Sequence, residues 1–319
     1  MHVLSVSSLK GGVGKTTIAL GVASAAYARG LRTLVVDLDP QCDATTGLGA
    51  IEGFETTVAD VLKKPRHNVV HKAIVSTSWN KIKPSKIDVL VGSPDIQTND
   101  DPAPHAKELW RLEVALSRVE DEYDLVIIDT PPSLNGLTKT AWVASDRVLV
   151  VTEPSLFSVV AAERSTRAIN SMRKEVTRRV RLFGVVVNRF KPLSKEHLFR
   201  IDELTEKYPG RLLPQFFEEK ATVQQAQGAA RSIHSWPGET ASAVAAQFDE
   251  VLDRLLLDFN ENPYDEGDEL ARRPRRQKRL IRTKRGKNIE SILEDVVKVE
   301  TDSAGDESGT SAIADEARD

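Results

Sequence analysis

From Val3 to about Phe259, short apolar runs alternate with stretches of helical period. Val3–Ser7, Leu34–Asp37, Ile87–Val91, Leu125–Asp129, Val148–Thr152 and Val185–Asn188 are brief and rich in Val, Ile and Leu. That is the pattern of strands buried on both faces of a parallel sheet. Thr16–Ala28, Ala106–Arg118, Val159–Arg173, Lys195–Lys207 and Ala241–Phe259 read as helices, and Gly30 supplies a stop for the first. In the last of these, Val244, Phe248, Val251, Leu252, Leu255, Leu256 and Phe259 form one continuous apolar stripe. The alternation predicts an α/β fold: a doubly wound, mostly parallel sheet with helices on both faces and ligands at the carboxyl ends of the strands.

The pattern stops at Asn260, which divides the chain into a domain over 1–260 and a tail over 261–319. The tail carries twelve basic and fifteen acidic side chains, a net of −3 that equals the formal charge of the whole chain and leaves residues 1–260 neutral. Its few large apolar groups do not offset an ordering entropy of ~1–2 kcal/mol per residue, so most of it is expected to be disordered. Within it, residues 272–287 hold ten Lys/Arg in sixteen positions. Ile289, Ile292, Leu293, Val296 and Val297 follow at helical spacing, a short amphipathic helix over about 289–298 that suits either its own domain or a partner.

Composition narrows the function by exclusion. A neutral domain gives no global attraction for polyanions, so any such affinity must be local. The single cysteine, Cys42, rules out a disulfide framework or a four-thiolate metal site within one chain. His67 and His71 share a helical face, but no third ligand stands near them in sequence. No run reaches the ~18 apolar residues of a membrane span, and a glycine-rich loop occupies the place of a signal peptide. A soluble, cytoplasmic protein is expected.

The candidate chemistry begins directly after the first strand, with Lys10-Gly11-Gly12-Val13-Gly14-Lys15-Thr16-Thr17 leading into a helix. Glycines let consecutive N–H groups turn toward one anion, and the helix N-terminus adds partial positive charge. Lys15 can reach the β/γ-phosphates and the Thr16 hydroxyl can ligate Mg²⁺. The ordinary pattern has glycine where this chain has Leu9, and a second lysine, Lys10, precedes the glycines.

This loop resembles the deviant Walker A motif of the ParA/MinD group of P-loop ATPases, and the resemblance extends over roughly residues 1–260. It implies ATP and Mg²⁺ as cofactors, bound by Gly11, Gly12, Val13, Gly14, Lys15, Thr16 and Thr17. It also implies that Lys10 reaches across a homodimer to the partner's phosphates. Leu34-Val35-Val36-Asp37-Leu38-Asp39-Pro40-Gln41 resembles the group's second acidic motif, with Asp39 orienting the attacking water and Asp37 supporting the Mg²⁺ shell. Leu125–Asp129 followed by Thr130-Pro131-Pro132-Ser133 resembles the Walker B segment, with Asp129 holding Mg²⁺. Asn188 stands where relatives contact adenine, and Leu213-Pro214 falls at a second base-contacting loop. Many relatives have Gly-Asn where this chain has Cys42-Asp43.

Absences discriminate within the group. One cysteine disfavours the nitrogenase iron-protein and Fe–S carrier types, and only Tyr264 in the tail stands against a tyrosine-kinase type. Glu290, Glu294 and Asp295 disfavour anionic lipid as a partner for the tail helix. No helix-turn-helix precedes Val3, against the autorepressing type. The ParA-like positioning ATPases remain. For them the resemblance implies an ATP-sandwich dimer that binds DNA non-specifically, a ParB-like or analogous partner that stimulates slow hydrolysis, and a nucleoid-associated location. Candidate DNA contacts are Arg189, Lys191, Lys195, Arg200 and Arg231 in the domain, and Arg272, Arg273, Arg275 and Arg276 in the tail. Each is also readable as ordinary solvated charge, and Glu218-Glu219 lie where many relatives are basic. The alternatives are a nucleotide-gated adaptor for a division or polar protein, and a MinD-like membrane ATPase.

Overall fold

The computed structural model describes residues 1–50, 54–81 and 85–261. The basic segment 272–287, the helix expected near 289–298 and the arginines 272, 273, 275 and 276 lie outside the described residues.

The chain opens with β1 (His2–Ser7), α1 (Lys15–Ala28) and β2 (Thr33–Asp37), then passes through three short helices, α2 (Asp43–Gly47), α3 (Val58–Lys63) and α4 (His67–Ala73). Two strands follow, β3 (Ile74–Ser76) and β4 (Ile87–Leu90), and two short helices, α5 (Ala106–Leu109) and α6 (Arg111–Leu116). The second half runs β5 (Leu125–Asp129), α7 (Gly136–Ala144), β6 (Arg147–Thr152), α8 (Leu156–Glu175), β7 (Arg181–Phe190), α9 (Lys195–Lys207), β8 (Leu212–Glu218), α10 (Ala221–Gly228) and α11 (Glu239–Glu261).

The strands form one sheet in the order β3-β4-β2-β5-β1-β6-β7-β8, parallel except where β3 meets β4. All six strands expected from the apolar runs are present. The two unexpected ones, β3 and β8, are the edges, where burial alternates or lapses and no continuous apolar run is written. The helix expected over Ala106–Arg118 is two, because Trp110, at ψ −3°, ends α5 and begins α6.

Alternate residues of each central strand enter opposite layers. Leu4, Val6, Val35, Ile127, Leu149 and Val151 pack with α1 and α11, whose Phe248, Val251, Leu252 and Leu255 are the stripe read from sequence. Val3, Leu34, Val36, Val126 and Ile128 pack on the other face with α3, α6 and α7, while Val148, Val150, Val185 and Val187 pack under α8. Helix α1 stops as its sequence requires: Gly30 takes φ 87° and its N–H donates to the Tyr27 carbonyl at 3.1 Å. Among the described residues no helix is long and apolar enough to cross a membrane.

The end of the sheet opposite the strands' carboxyl ends is held by buried ion pairs. Arg179 bonds Glu113 at 2.6 Å and Asp146 at 2.9 Å, and Asp146 also accepts the Val3 N–H at 2.7 Å. Arg147 pairs with Asp258, fastening the last turns of α11 beneath β6.

Candidate active site

Strand order brings three separated motifs together. β5 lies between β1 and β2, and Asp37 pairs in register with Asp129, so both carboxylates end adjacent strands beside the loop that leaves β1. That loop turns through Gly12 (φ 78°) and Gly14 (φ 87°), left-handed conformations that glycine adopts without strain. A Cβ on Gly14 would meet the Asn188 amide nitrogen at 2.2 Å. The open turn feeds α1, whose N-terminal N–H groups face outward as an anion cradle.

Inside the cradle charge is concentrated and dehydrated. Lys15 is buried, and desolvation pulls its pKa down against the opposing pull of Asp129, Asp39 and Asp43. Asp129 is wholly buried, and desolvation, with Asp37 beside it, pushes its carboxyl up to about 8. The Thr16 hydroxyl donates to Asp129 Oδ2 at 2.6 Å, while Oδ1 is buried with no partner among the described residues. A threonine hydroxyl bonded to a carboxylate with one unfilled oxygen, beside an anion cradle, is a donor set that fits a hard divalent cation. Asp37 differs. Its Oδ2 accepts from the Thr45 N–H (2.8 Å) and hydroxyl (2.7 Å), its Oδ1 from the Asp39 N–H (3.3 Å), and burial raises its pKa to about 6. Asp37 therefore braces the Asp39–Thr45 segment from the strand next to Asp129. Asp39 is partly exposed, and its Oδ1 accepts the Gln41 N–H at 3.0 Å.

Cys42 follows at φ 57°, a left-handed position that glycine adopts without strain. Burial and the surrounding aspartates push its thiol up to about 11, so it stays protonated.

Lys10 is turned away from its own cradle. Its ammonium donates to Ser158 Oγ (2.9 Å), Glu153 Oε2 (3.2 Å) and Ser155 Oγ (3.4 Å), on the loop and first turn after β6. The other oxygen of Glu153 holds Arg189 at 3.1 Å.

On the flank of the cradle is a cavity of about 150 Å³ lined by Thr17, Asn188, Phe217, Lys220, Gln224 and Gln227, among others. Asn188 donates to the Val13 carbonyl at 2.8 Å, tying β7 to the loop, and Gln227 donates to Thr17 Oγ1 at 3.2 Å. Pro214 is exposed within edge strand β8 and is not among the lining residues, which on this side come from the end of β8 and the two residues after it, Phe217 to Lys220. Gln224 and Gln227 escape sequence reasoning because α10 is short and weakly patterned; the only signal is the i, i+4, i+7 spacing of Lys220, Gln224 and Gln227.

Of the five domain cations read as DNA contacts, two are paired with carboxylates. Arg189 is paired with Glu153, and Arg200 with Glu196 (2.7 Å) and Glu203 (2.8 Å). Arg231 donates to the Ser235 carbonyl at 2.7 Å and lies over Trp236, next to Ala230, whose carbonyl binds Trp79 beyond the far half of the sheet. Lys191 and Lys195 are exposed at the β7–α9 corner.

A phosphate-cradling loop between a first strand and helix, with two strand-end aspartates beside it, defines the P-loop nucleoside triphosphatase class. The AAA domain family model AAA_31 matches residues 1–182, more than half of the chain. The virulence plasmid ParA family protein pGP5-D of Chlamydia psittaci is 30% identical over 226 residues, covering 70% of this chain and 83% of its own. The chromosome partitioning protein ParA of Caulobacter vibrioides is 34% identical over 194 residues, 60% of this chain and 70% of its own. Apo McdA of Cyanothece superposes with a TM-score of 0.69 at 23% identity, covering 80% of this chain and 99% of that one. Cobyrinic acid a,c-diamide synthase of Mycobacterium smegmatis, with an ATP analogue and magnesium, gives 0.67 at 22% identity over 83% and 97%. The chain belongs to the ParA family of P-loop ATPases.

Proposed function

We propose that this chain is an ATP- and Mg²⁺-dependent positioning ATPase whose ATP-bound dimer holds DNA without sequence preference. A ParB-like or analogous protein stimulates its slow hydrolysis and so moves a cargo. The observation that carries the reading is the direction of Lys10. A cation beside the phosphate cradle that reaches outward to the β6–α8 turn, rather than back over its own loop, is poised to serve another subunit's phosphates.

The chain's own residues have separable tasks. The Gly11–Gly14 N–H groups and Lys15 take the phosphate charge, and the Lys15 site is already dehydrated, which strengthens that interaction. Thr16 and Asp129 would hold Mg²⁺, which supplies charge neutralisation at the terminal phosphates. Asp39, on the segment braced by Asp37, orients a water in this reading, and Asn188 and the cavity beside it take the base. Full assembly waits on a second subunit, which accounts for slow turnover by one chain.

Lys10→Ala tests the reading. It should bind ATP within about threefold of the parent, fail to dimerise, and lose hydrolysis by about 10²-fold or more. Parent-like turnover in that variant removes the trans role and the reading with it.

A further inference from the structure

Helix α7 starts shortly after Asp129, and the segment between them passes the phosphate loop: a Cβ on Gly11 would meet Pro132 Cγ at 3.8 Å. The near end of that segment is pinned to β1, where the Thr130 hydroxyl donates to the Val6 carbonyl at 3.0 Å. Its far end is pinned from another part of the chain. Asn135, the N-cap residue of α7, makes no capping bond with its own side chain. A carboxylate from the β4–α5 loop takes that place. Asp100 Oδ1 accepts the Leu137 N–H at 3.1 Å, and Oδ2 accepts from Ser133 Oγ at 3.2 Å and from the Asn135 amide at 3.3 Å. Negative charge there also complements the positive end of the helix dipole. Neighbouring backbone completes the clasp: the Gly136 N–H donates to the Asp101 carbonyl at 2.8 Å, and Lys139 Nζ to the Pro102 carbonyl at 2.9 Å. The approach is tight, since a Cβ on Gly136 would stand 2.8 Å from the Asn99 carbonyl oxygen and 2.9 Å from that of Asp101. The same loop starts at Gly92, whose N–H donates to Thr45 Oγ1 at 2.9 Å, and that hydroxyl in turn bonds Asp37. One loop thus touches the segments that follow both strand-end aspartates.

We propose that Asp100 is a positioning residue for hydrolysis, holding the Thr130–Asn135 segment beside the phosphate loop. This rests on ATP hydrolysis at the cradle and adds a group that sets its geometry from outside. The cradle is built by Gly11–Gly14 and α1, whereas the side-chain bonds of Asp100 go to residues 133–137. Nucleotide binding and placement of the segment are therefore separable. The carboxylate is specifically required, because all three groups facing it are donors. An amide in its place must turn an N–H toward either the Leu137 N–H or the Asn135 amide. With the clasp open, Pro132 is free to leave Gly11, and the wall it forms beside the phosphates is lost. A misplacement of about 1 Å in such a site costs up to about 10²-fold in rate.

The test uses the full chain in single-turnover hydrolysis of Mg-ATP, with ATP affinity and amide hydrogen exchange measured on the same proteins. Asp100→Ala should slow hydrolysis at least about tenfold while ATP affinity stays within about threefold of the parent. Without nucleotide, its amides over 135–139 should exchange at least about tenfold faster, and those of α1 at the parent's rate. Asp100→Asn should behave like Asp100→Ala. The double variant Asp100→Asn/Asn135→Asp exchanges donor for acceptor across the pair and should return the rate to within about threefold of the parent. Parent-like hydrolysis in Asp100→Ala overturns the proposal. So does a loss of ATP affinity in step with the rate, which makes Asp100 a support of the cradle. A double variant as slow as Asp100→Ala overturns it as well. A parent that does not hydrolyse ATP overturns the ATPase reading itself, and the role of Asp100 with it.

Discussion

Asp129 and Asp37 close adjacent strands with their carboxyls in a dehydrated pocket, and both are raised above the unfolded value of 3.8, to about 8 and about 6. The folded protein therefore keeps protons that the unfolded chain releases. Their contribution to stability is complete below pH 3.8 and is lost as pH rises through 6 and then 8. Without nucleotide or metal, Asp129→Asn should melt above the parent at pH 8, by roughly 5 °C, with the gap shrinking below pH 6. Melting curves of both proteins across that interval test it, and parallel curves would count against buried ionisation. The same variant should lose Mg²⁺-dependent hydrolysis, because Oδ1 is the acceptor left without a partner among the described residues. The role proposed for Asp39 belongs to a different step. Asp39→Ala should keep ATP binding and the dimer while hydrolysis drops about 10²–10⁴-fold, read as persistence of the ATP complex in single-turnover assays.

At the scale of elements, the molecule separates stability from chemistry along the strand axis. Arg179, Glu113 and Asp146 are buried at the end of the sheet opposite the phosphate loop. Arg179→Met strands two buried carboxylates and should cost about 3–5 kcal/mol, read as a lower denaturation midpoint, with nucleotide affinity in the folded protein unchanged. A fall in affinity at full folding would mean the two ends of the sheet are coupled. At the other end, α1 receives its anion site from the left-handed turns at Gly12 and Gly14, and Gly14 has no room for a side chain against Asn188. The cavity depends on α10, which adds Gln227 to Thr17 and is anchored by the Ala230 carbonyl accepting from Trp79.

For the whole molecule, the trans role proposed for Lys10 requires a second copy. A non-cleavable ATP analogue should convert monomer to dimer in solution scattering, whereas ADP should not, and a monomer at saturating analogue would defeat the scheme. The sequence by itself determined the parallel core and the phosphate loop. Strands buried on both faces are written as unbroken Val/Ile/Leu runs, and the chemistry of a phosphate cradle demands glycines and a lysine at fixed spacing directly after one. Only the tertiary structure decided what depends on neighbours far along the chain. Edge strands β3 and β8 lack the continuous run, so Pro214 read as loop when it lies in a strand. The short helix α10 draws its place from contacts rather than periodicity, so the side chains of the cavity beside the cradle were not legible. Charge was legible as residue type but not as availability. Carboxylates that neutralise Arg189 and Arg200 reach them through folding.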